Sequence, residues 1–287
     1  MSEQPGKAIL LIQCQDQPGL VARMGNFIYE NKGNIIHLDQ YSDPDTNRFY
    51  MRLEWQYDNF LIRQEEFKAV FAPLARQFGM EYQLFFSGRP QRVALLVSKQ
   101  GHCLIDLLSR HSDGDLQCDI PLIISNHPDM EKYARSFGID YHCLPITKDN
   151  KVAQEQRQLE LLKEYEIDLI VLARYMQILT DQMIQSYPNQ IINIHHSFLP
   201  AFMGGKPYHQ ASARGVKLIG ATSHYVTADL DEGPIIEQGV IKITHRDSIE
   251  DMIRKGKDNE KVVLARAVRL HLQHRVLVYG NKTVVFD

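Results

Sequence analysis

The first part of the chain alternates between the two-residue period of a strand and the 3.6-residue period of a helix. Gly, Pro, Asn and Asp separate the periodic segments, as is usual in turns. The predicted strands cover residues 8–14, 34–41, 48–57 and 80–86, and the predicted helices cover residues 20–30 and 65–78. This βαββαβ order over about 80 residues predicts a ferredoxin-like domain.

A polar segment at residues 87–91 is the predicted linker, because it contains a glycine and a proline between periodic segments. The apolar runs beyond it are nearly continuous, which is typical of strands buried on both faces of a parallel sheet. These runs cover residues 93–97, 120–125, 169–173 and 191–194, and helical patterns lie between them at 102–110, 130–137 and 152–165. Strand and helix alternate, so right-handed βαβ units in a doubly wound, mostly parallel sheet are predicted.

The rest of the pattern predicts strands at residues 217–226 and 235–243, a long helix at 248–271 and a hairpin at 275–286. A length of 287 residues agrees with two domains. We therefore predict an α/β protein with a ferredoxin-like domain over residues 1–86, a linker over 87–91 and a doubly wound sheet domain over 92–287.

Composition and charge narrow the functional classes. The formal net charge is −3, from 32 basic and 35 acidic residues, so the basic excess of nucleic-acid-binding proteins is missing. No apolar run reaches the roughly 20 residues that span a bilayer, and residues 1–7 have no signal-peptide core. The four cysteines are scattered, without a Cys-x-x-Cys pair, which indicates reduced thiols. We expect a cytoplasmic protein that binds neither nucleic acid nor membrane.

Candidate chemistry lies at the end of the apolar run at residues 191–194. Because side chains alternate along a strand, Asn193, His195 and Ser197 project from one face. In doubly wound sheets, ligands bind beyond the carboxyl ends of the strands. An amide and an imidazole as donors, with a carboxylate to hold the imidazole charged, suit a reaction that builds negative charge on a carbonyl oxygen. The acidic loop at residues 229–232, closed by a Gly-Pro turn, can supply that carboxylate.

Each residue also has a structural alternative. His195 is compatible with a hydrogen-bonded core histidine, Asn193 with a loop anchor and Asp231 with a turn former. Asp229 and Glu232 compete with Asp231 for the role of the carboxylate. Four histidines could suggest a metal cluster: His195, His196, His209 and His224. Neighbouring residues of a strand point to opposite faces, however, so we expect no metal site.

The polar residues of these two stretches resemble the motif of the folate-dependent formyltransferase family: Asn193-x-His195-x-Ser197-x-Leu199-Pro200, His224 and Asp231-x-Gly233-Pro234. The resemblance covers residues 92–275 and implies that Asn193, His195 and Asp231 are catalytic. The segment at residues 172–179 resembles the folate-pocket segment of that family, with Gln177 where an arginine is common. The substrate-binding residues implied are Met176, Ile178, Leu179, Ser197, Thr227, Ala228 and Asp229.

The turn Asp16-x-Pro18-Gly19-Leu20, at the start of the first predicted helix, resembles that of the ACT family of small regulatory domains. The resemblance covers residues 7–86. It implies that an amino acid binds near this turn and that the domains pair through their sheets, so a homo-oligomer is expected. Glycine and methionine are the expected effectors, because both are linked to one-carbon metabolism. The alternatives are that Gly19 only forms a tight turn and that the domain only holds an oligomer together.

The stretch Ser-Lys-Gln-Gly-His-Cys at residues 98–103 distinguishes between acceptors of a formyl group. In relatives that use a ribonucleotide this turn is glycine-rich, and its backbone N–H groups hold the phosphate. This chain keeps only Gly101 and has the bulky Lys99, Gln100 and His102, so water is the expected acceptor.

With the ACT-like domain added, the whole chain resembles the formyltetrahydrofolate deformylases. The resemblance implies hydrolysis of 10-formyltetrahydrofolate to formate and tetrahydrofolate, with folate as substrate and no separate cofactor. Such a hydrolase competes for formylfolate with purine biosynthesis. Two alternatives remain: a formyltransferase that acts on an amine such as glycinamide ribonucleotide, and a non-catalytic sensor of an amino acid or folate.

Overall fold

The computed structural model describes residues 6–201 and 207–287, and the polar start of the chain at residues 1–5 lies outside them. The chain forms two compact units. The first comprises residues up to Pro90 together with His274–Leu277 and Val284–Asp287. The second comprises Gln91–Gln273 and Val278–Thr283.

The first unit is a four-stranded antiparallel sheet with two helices, and the predicted ferredoxin-like order is confirmed. The sheet order is β2-β3-β1-β4. Its elements are β1 Lys7–Gln15, α1 Leu20–Glu30, β2 Asn34–Asp43, β3 Arg48–Gln56, α2 Gln64–Phe78 and β4 Glu81–Phe86. Helix α1 buries Leu20, Met24 and Ile28 at helical spacing. Gly79 ends α2 in a left-handed conformation with φ 60°.

The core of this unit is rich in aromatic rings. Trp55, Phe67 and Phe71 are fully buried. The ring of Trp55 stacks on that of Phe67 with centroids 5.9 Å apart, and Phe67 stacks on Phe71 at 5.4 Å. Such pairs add to the large apolar area that each ring buries. Local stability therefore depends on a few positions of α2 and β3.

The C-terminal residues grouped with this unit contact its sheet. The buried Arg52 of β3 donates from Nε to the carbonyl oxygen of His274 at 3.0 Å and pairs with Glu54 at 2.9 Å. The ring of His274 stacks on Phe85 of β4, with centroids 3.6 Å apart. The predicted second domain covers residues 92–287, whereas in the structure residues 274–277 and 284–287 belong to the first unit.

The second unit contains a seven-stranded sheet of order β11-β10-β9-β8-β5-β6-β7. The five neighbouring strands β9, β8, β5, β6 and β7 are parallel. Strand β10 pairs antiparallel with β9, and β11 pairs antiparallel with β10 at that edge. The strands are β5 Gln91–Val97, β6 Cys118–Ser125, β7 Asp140–Cys143, β8 Leu169–Leu172, β9 Ile191–His195, β10 Leu218–Tyr225 and β11 Ile235–Lys242. The helices are α3 His102–Ser112, α4 Glu131–Ser136, α5 Lys151–Glu164, α6 Asp181–Ser186, α7 Pro207–Arg214 and α8 Ile249–Leu272.

Three short elements of this unit have no counterpart in the prediction: β7, α6 and α7. Strand β7 has the sequence Asp-Tyr-His-Cys at a sheet edge, so no apolar run marks it. Helices α6 and α7 have six and eight residues, too few to display a clear helical period. The predicted helix at 130–137 is a 3₁₀ turn, Pro128–Met130, followed by the six-residue α4. The predicted hairpin consists of β12 Val276–Tyr279 and β13 Lys282–Val285.

The strand order fixes where a ligand can bind in the second unit. The chain runs from β5 to β6 and β7 on one side, and then returns to place β8 and β9 on the other side of β5. Such a reversal opens a crevice at the carboxyl ends of the central strands. Strand β10 pairs antiparallel with β9 and sets His224 opposite Asn193. The polar end of β9 therefore lies beside the crevice.

Among the described residues, no helix is both long and apolar enough to cross a bilayer.

Removal of the Phe67 ring is expected to destabilise the first unit by about 3–5 kcal/mol, because Phe67→Ala leaves a cavity in a fully buried aromatic cluster. Trp55 is the single tryptophan and lies in the same core, so its fluorescence during urea unfolding reports on this unit. Val70→Ala on the same helix is the control, since Val70 is 46% exposed and should change stability by about 0.5 kcal/mol or less. Equal shifts of the urea midpoint in both variants would contradict the packing described.

Candidate active site

A cavity of about 400 Å³ opens at the carboxyl ends of β8 and β9, and we call it the main cavity. The segment after β8 forms one wall, the end of β9 forms the floor, and the acidic loop after β10 forms the other wall. Its lining residues are Leu172, Arg174–Leu179, Ile184, Asn193–His196, His224 and Val226–Asp231. The volume falls within the range of about 300–1,000 Å³ that is usual for small-molecule sites.

The polar end of the main cavity joins the two stretches singled out in the sequence. Nδ1 of His195 lies 3.1 Å from Oδ2 of Asp231. Nδ2 of Asn193 lies 3.2 Å from Nε2 of His224, and the same nitrogen of His224 is 3.6 Å from Oδ1 of Asp231. An amide, two imidazoles and a carboxylate therefore form one connected group.

His224 orients the amide of Asn193. Its Nδ1 lies 2.9 Å from the backbone carbonyl oxygen of Tyr225, which can only accept a hydrogen bond, so Nδ1 carries the proton. In the neutral ring Nε2 is then an acceptor, and it accepts from Nδ2 of Asn193. This contact uses one of the two N–H groups of the amide and leaves the other for a ligand. His224 is thus a positioning residue for Asn193.

The loop that carries Asp231 is held in a conformation that requires a glycine at residue 233. Asp231 has φ 58°, in the left-handed region that costs energy for a residue with a side chain. Two residues later, a Cβ atom on Gly233 would lie 1.8 Å from the carbonyl oxygen of Tyr225, so only glycine permits the close approach. Asn281 donates to the carbonyl oxygen of Glu232 at 2.8 Å and holds the loop from outside.

The electrostatics favour a charged carboxylate. The hydrogen bond with His195 is the largest cause that holds the pKa of Asp231 well below its usual range. Asp231 is therefore an anion near neutral pH. Nε2 of His195 is buried and has no hydrogen-bond partner among the described residues. Because Nδ1 faces Asp231, Nε2 is the atom of this ring that remains for a substrate or water.

The wall after β8 is mostly apolar, and hydrogen bonds of the Ser98 side chain hold it in place. Ser98 accepts from the N–H of Met176 at 3.0 Å and donates to Oδ1 of Asn126 at 2.7 Å. Met176 and Ile178 are 59% and 60% exposed, so they present apolar surface to a ligand. A flat aromatic ring system buries well on such a wall.

A second cavity of about 180 Å³ shares Arg174 and His196 with the main cavity. Its lining residues are Gln100, Arg174, His196, Pro207, Tyr208, His209, Ile253, Lys257 and Glu260. Burial, followed by repulsion from Arg174 and His195, lowers the pKa of His196 to about 4. His196 is therefore neutral near pH 7.

Buried Glu260 connects the elements around the second cavity. One of its oxygens lies 2.8 Å from Nε2 of His102 and 3.5 Å from Nε of Arg174, and the other accepts from Tyr208 at 3.0 Å. Ligand atoms of His102, Cys103 and Glu260 lie within 4.8 Å of one another, a spacing that could hold a metal ion. Burial raises the pKa of Cys103 and opposes a thiolate, and Arg174 already supplies a cation. The group is thus an ion-pair network.

Most of the residues predicted for the site line the main cavity. They are Asn193, His195, Asp231, Met176, Ile178, Leu179, Thr227, Ala228 and Asp229. Ser197 does not line it. Its side chain is buried, and its Oγ has no hydrogen-bond partner in the described part of the chain.

Of the four residues predicted for regulation, Asp16, Pro18 and Gly19 lie between β1 and α1, and Leu20 is the first residue of α1. The N–H of Asp16 donates to the carbonyl oxygen of Asn47 at 2.9 Å. Pro18 is exposed, and Gly19 has φ 91°, which a glycine adopts without strain. Leu20 is buried in the core.

The sequence reasoning missed Arg174, His196 and Glu260 as parts of the site. Arg174 has φ 66°, a strained conformation directly after β8 that the sequence does not display. A signal did exist for Glu260. It lies four residues from both Gly256 and Leu264 on the buried stripe of α8, where a carboxylate requires partners.

Comparisons with known proteins agree with this architecture. A family model described as "Formyl transferase" matches residues 91–268, and an "ACT domain" model matches residues 8–55. A formyltetrahydrofolate deformylase of Synechocystis sp. is 61% identical over 279 residues, which cover 97% of this chain and 98% of that protein. The Bacillus subtilis formyltetrahydrofolate deformylase is 47% identical over 98% of this chain and 94% of its own.

The crystal structure of a formyltetrahydrofolate deformylase from Pseudomonas syringae pv. tomato matches with a TM-score of 0.96 and 46% identity, and it covers 100% of this chain and 96% of that one. These relatives match this chain over nearly the full length of each protein, so the match includes both of its domains. The chain belongs to the formyltetrahydrofolate deformylase family.

Proposed function

We propose that the chain hydrolyses 10-formyltetrahydrofolate to formate and tetrahydrofolate at the polar end of the main cavity. The observation that carries the proposal is the contact of His195 with Asp231, next to the amide of Asn193, at one end of a mostly apolar cavity. The pterin ring would pack on the wall formed by Met176, Ile178 and Leu179. The formyl group would then face the polar group.

Asn193 and His195 would stabilise the negative charge on the formyl oxygen. Water adds to the formyl carbon and gives up a proton to the carboxylate of Asp231, while the carbonyl oxygen becomes an oxyanion. The free N–H of Asn193 and the Nε2–H of charged His195 are the donors that can reach such an atom. Donors that are already in position cost little reorganisation during the reaction, which is why they accelerate it.

The second half of the reaction needs a proton on N10 of the folate. His195 would donate the proton through Nε2 as the carbon–nitrogen bond breaks, and the collapsing oxyanion forms formic acid, which loses its proton to give formate. Before the attack Asp231 would orient the imidazole and stabilise its positive charge. After the attack Asp231 would release the proton taken from water to the solvent, and His195 would recover its proton from formic acid. Water and the folate substrate are the only reactants in this scheme.

The surroundings of His102 support water as the acceptor. Lys99 and Gln100 are exposed, and the side chain of His102 turns back to Glu260 at 2.8 Å. Gly101 has an ordinary φ of −93°, and a Cβ there would lie 2.2 Å from Sδ of Met130, so this glycine serves packing. The turn therefore has a single glycine, which serves packing, in place of the several glycines with which a glycine-rich turn brings its backbone close to a phosphate.

For the first unit we propose regulation by an amino acid, with glycine and methionine as the candidate effectors at the turn of Asp16, Pro18, Gly19 and Leu20. Pairing of two such domains through their sheets would give a homo-oligomer. Binding near a subunit boundary could then change the quaternary equilibrium and with it the rate of deformylation. We further propose that the protein acts in the cytoplasm.

Without any amine, the purified protein is expected to release formate and tetrahydrofolate in equal amounts from 10-formyltetrahydrofolate. Asn193→Ala should lower kcat on the order of 10²- to 10³-fold, because it removes one donor to the oxyanion. Asn34→Ala is the control, since this amide contacts Gln56 in the first unit and lines no part of the main cavity. Formate and tetrahydrofolate are both measured over time.

Formate release only after addition of an amine would support the transferase alternative, and no turnover with tight folate binding would support the sensor. An unchanged kcat in a folded Asn193→Ala protein would contradict the role of the amide.

Substitution of the two aspartates of the acidic loop should have very different effects on turnover. Asp231→Asn is expected to abolish turnover, because the hydrogen bond and charge at His195 are lost. Asp229→Asn is the matched control, since Asp229 is an exposed residue of the same loop. Rates are compared across a pH series, and larger damage from Asp229→Asn would transfer the role to that residue.

The same variants have a consequence for acid stability. A carboxyl with a lowered folded pKa stabilises the protein above its usual pKa of about 3.9, and this contribution disappears as the pH falls through the lower folded value. Asp231→Asn lacks this contribution at every pH. Its stability should therefore fall less steeply than that of the wild type in this acidic range.

Calorimetric titration is expected to show that glycine or methionine binds the full-length protein and changes the deformylation rate. A coupling of about 1–3 kcal/mol corresponds to a five- to 150-fold change in affinity. Asp16→Asn should weaken binding, whereas Glu30→Gln at the other end of α1 serves as control. If neither amino acid binds and the kinetics are identical with both, the domain has only an oligomerisation role.

A further inference from the structure

The second cavity adjoins the main cavity where the formyl group would react. Arg174 and His196 line both cavities, and His196 directly follows His195 at the end of β9. The second cavity therefore adjoins the polar end of the main cavity.

The second cavity has an excess of positive charge. Arg174 and Lys257 are its basic residues and Glu260 is its single carboxylate within the described part of the chain. Both oxygens of Glu260 are already occupied by His102, Tyr208 and Arg174. Lys257 has no ion pair or hydrogen bond with any residue that the structure describes, although neighbouring Lys255 and Lys261 pair with Asp247 and Asp258.

Arg174 also keeps donors for a ligand. Its side chain is only 8% exposed, and its one contact with a described acidic residue is through Nε to Glu260 at 3.5 Å. A guanidinium has five N–H donors in a planar fork that matches the two oxygens of a carboxylate. Its buried position and the left-handed backbone at Arg174 fix that fork between the two cavities.

The size of the second cavity limits what it can bind. Its volume of about 180 Å³ lies below the range of about 300–1,000 Å³ that is usual for ligands the size of a drug or nucleotide. A water molecule takes about 30 Å³ in the liquid, so a one-carbon acid fits together with a few waters.

We propose that the second cavity is a product site that takes formate, held by Arg174 and Lys257, while folate still occupies the main cavity. This inference rests on the proposed hydrolysis, which generates a small carboxylate beside Arg174. Formate formed there has the folate on one side and a cationic cavity of matching size on the other. The carboxylate leaves by that route, and tetrahydrofolate dissociates separately.

The direct test is a titration of the full-length protein with ¹³C-labelled formate, followed by NMR in the presence of tetrahydrofolate. Lys257→Gln should weaken formate binding about tenfold or more, because a charge-assisted hydrogen bond is lost. Lys261→Gln is the control, since Lys261 lies one helical turn further along α8 and pairs with Asp258. Equal dissociation constants for formate in Lys257→Gln and the wild type would overturn the proposal.

Product inhibition gives a second measurement. Formate should inhibit deformylation without competing with 10-formyltetrahydrofolate, and its inhibition constant should rise about tenfold in Lys257→Gln. Competition with folate would place formate in the main cavity and would overturn the product site. The same titration with inorganic phosphate tests which anion the site prefers. A lower dissociation constant for phosphate than for formate at Lys257 would also refute a formate site.

The two proposals fail in different ways. The NMR titration needs no turnover, so an active enzyme that binds formate independently of Lys257 refutes the product site alone. If the protein releases no formate from 10-formyltetrahydrofolate, the proposed hydrolysis is refuted.

Discussion

The geometry of the candidate site depends on the contact between Gly233 and the carbonyl oxygen of Tyr225. A Cβ atom at residue 233 would lie 1.8 Å from that oxygen, so a side chain would force the acidic loop away from β10. Because glycine stands there, the N–H of Tyr225 can donate to the carbonyl oxygen of Pro234 at 2.9 Å, and the loop folds back on the strand. That fold brings Asp231 to His195. The left-handed backbone of Asp231 is strain that this packing sustains.

A second constraint is the buried carboxylate of Glu260. It joins four elements, because its partners come from α3, the segment after β8, and α7, while Glu260 itself belongs to α8. Burial of a single charge is expensive, and removal of one partner from a buried pair typically costs about 3–5 kcal/mol. The network therefore fixes Arg174 at the boundary of the two cavities. Stability and the placement of a site residue follow from the same ion pairs.

These two constraints explain how a formyltransferase-type sheet can serve hydrolysis. The first sets a carboxylate, an imidazole and an amide around the end of one cavity, where we propose that water attacks the formyl carbon. The second uses His102, which belongs to the turn after β5, to close an ion-pair network. A turn whose side chain packs into the protein offers little to a phosphorylated acceptor. Water needs no such binding site.

Local patterns were sufficient for most of the elements. The period of apolar residues predicted α1 over residues 20–30, where the structure has Leu20–Glu30, and the runs in the second domain correspond to β5, β6, β8 and β9. These signals are strong because each element buries one face or both faces in its own unit. Short polar elements such as β7 and α7 give no such signal, since their form depends on neighbours that the local sequence does not reveal.

For the site, the sequence alone determined which chemical groups are available and in what order. Alternation along β9 placed Asn193 and His195 on one face, and both line the main cavity. The sequence alone could not distinguish Asp231 from Asp229. What distinguishes them is the distance of 3.1 Å between Oδ2 of Asp231, in the loop after β10, and Nδ1 of His195, at the end of β9. Nor could the sequence alone show that Ser197 is buried outside the cavity, because β9 ends two residues earlier, at His195. Arg174, His224 and Glu260 acquire their roles only from tertiary contacts, since a charge or a tautomer depends on partners that are distant along the chain.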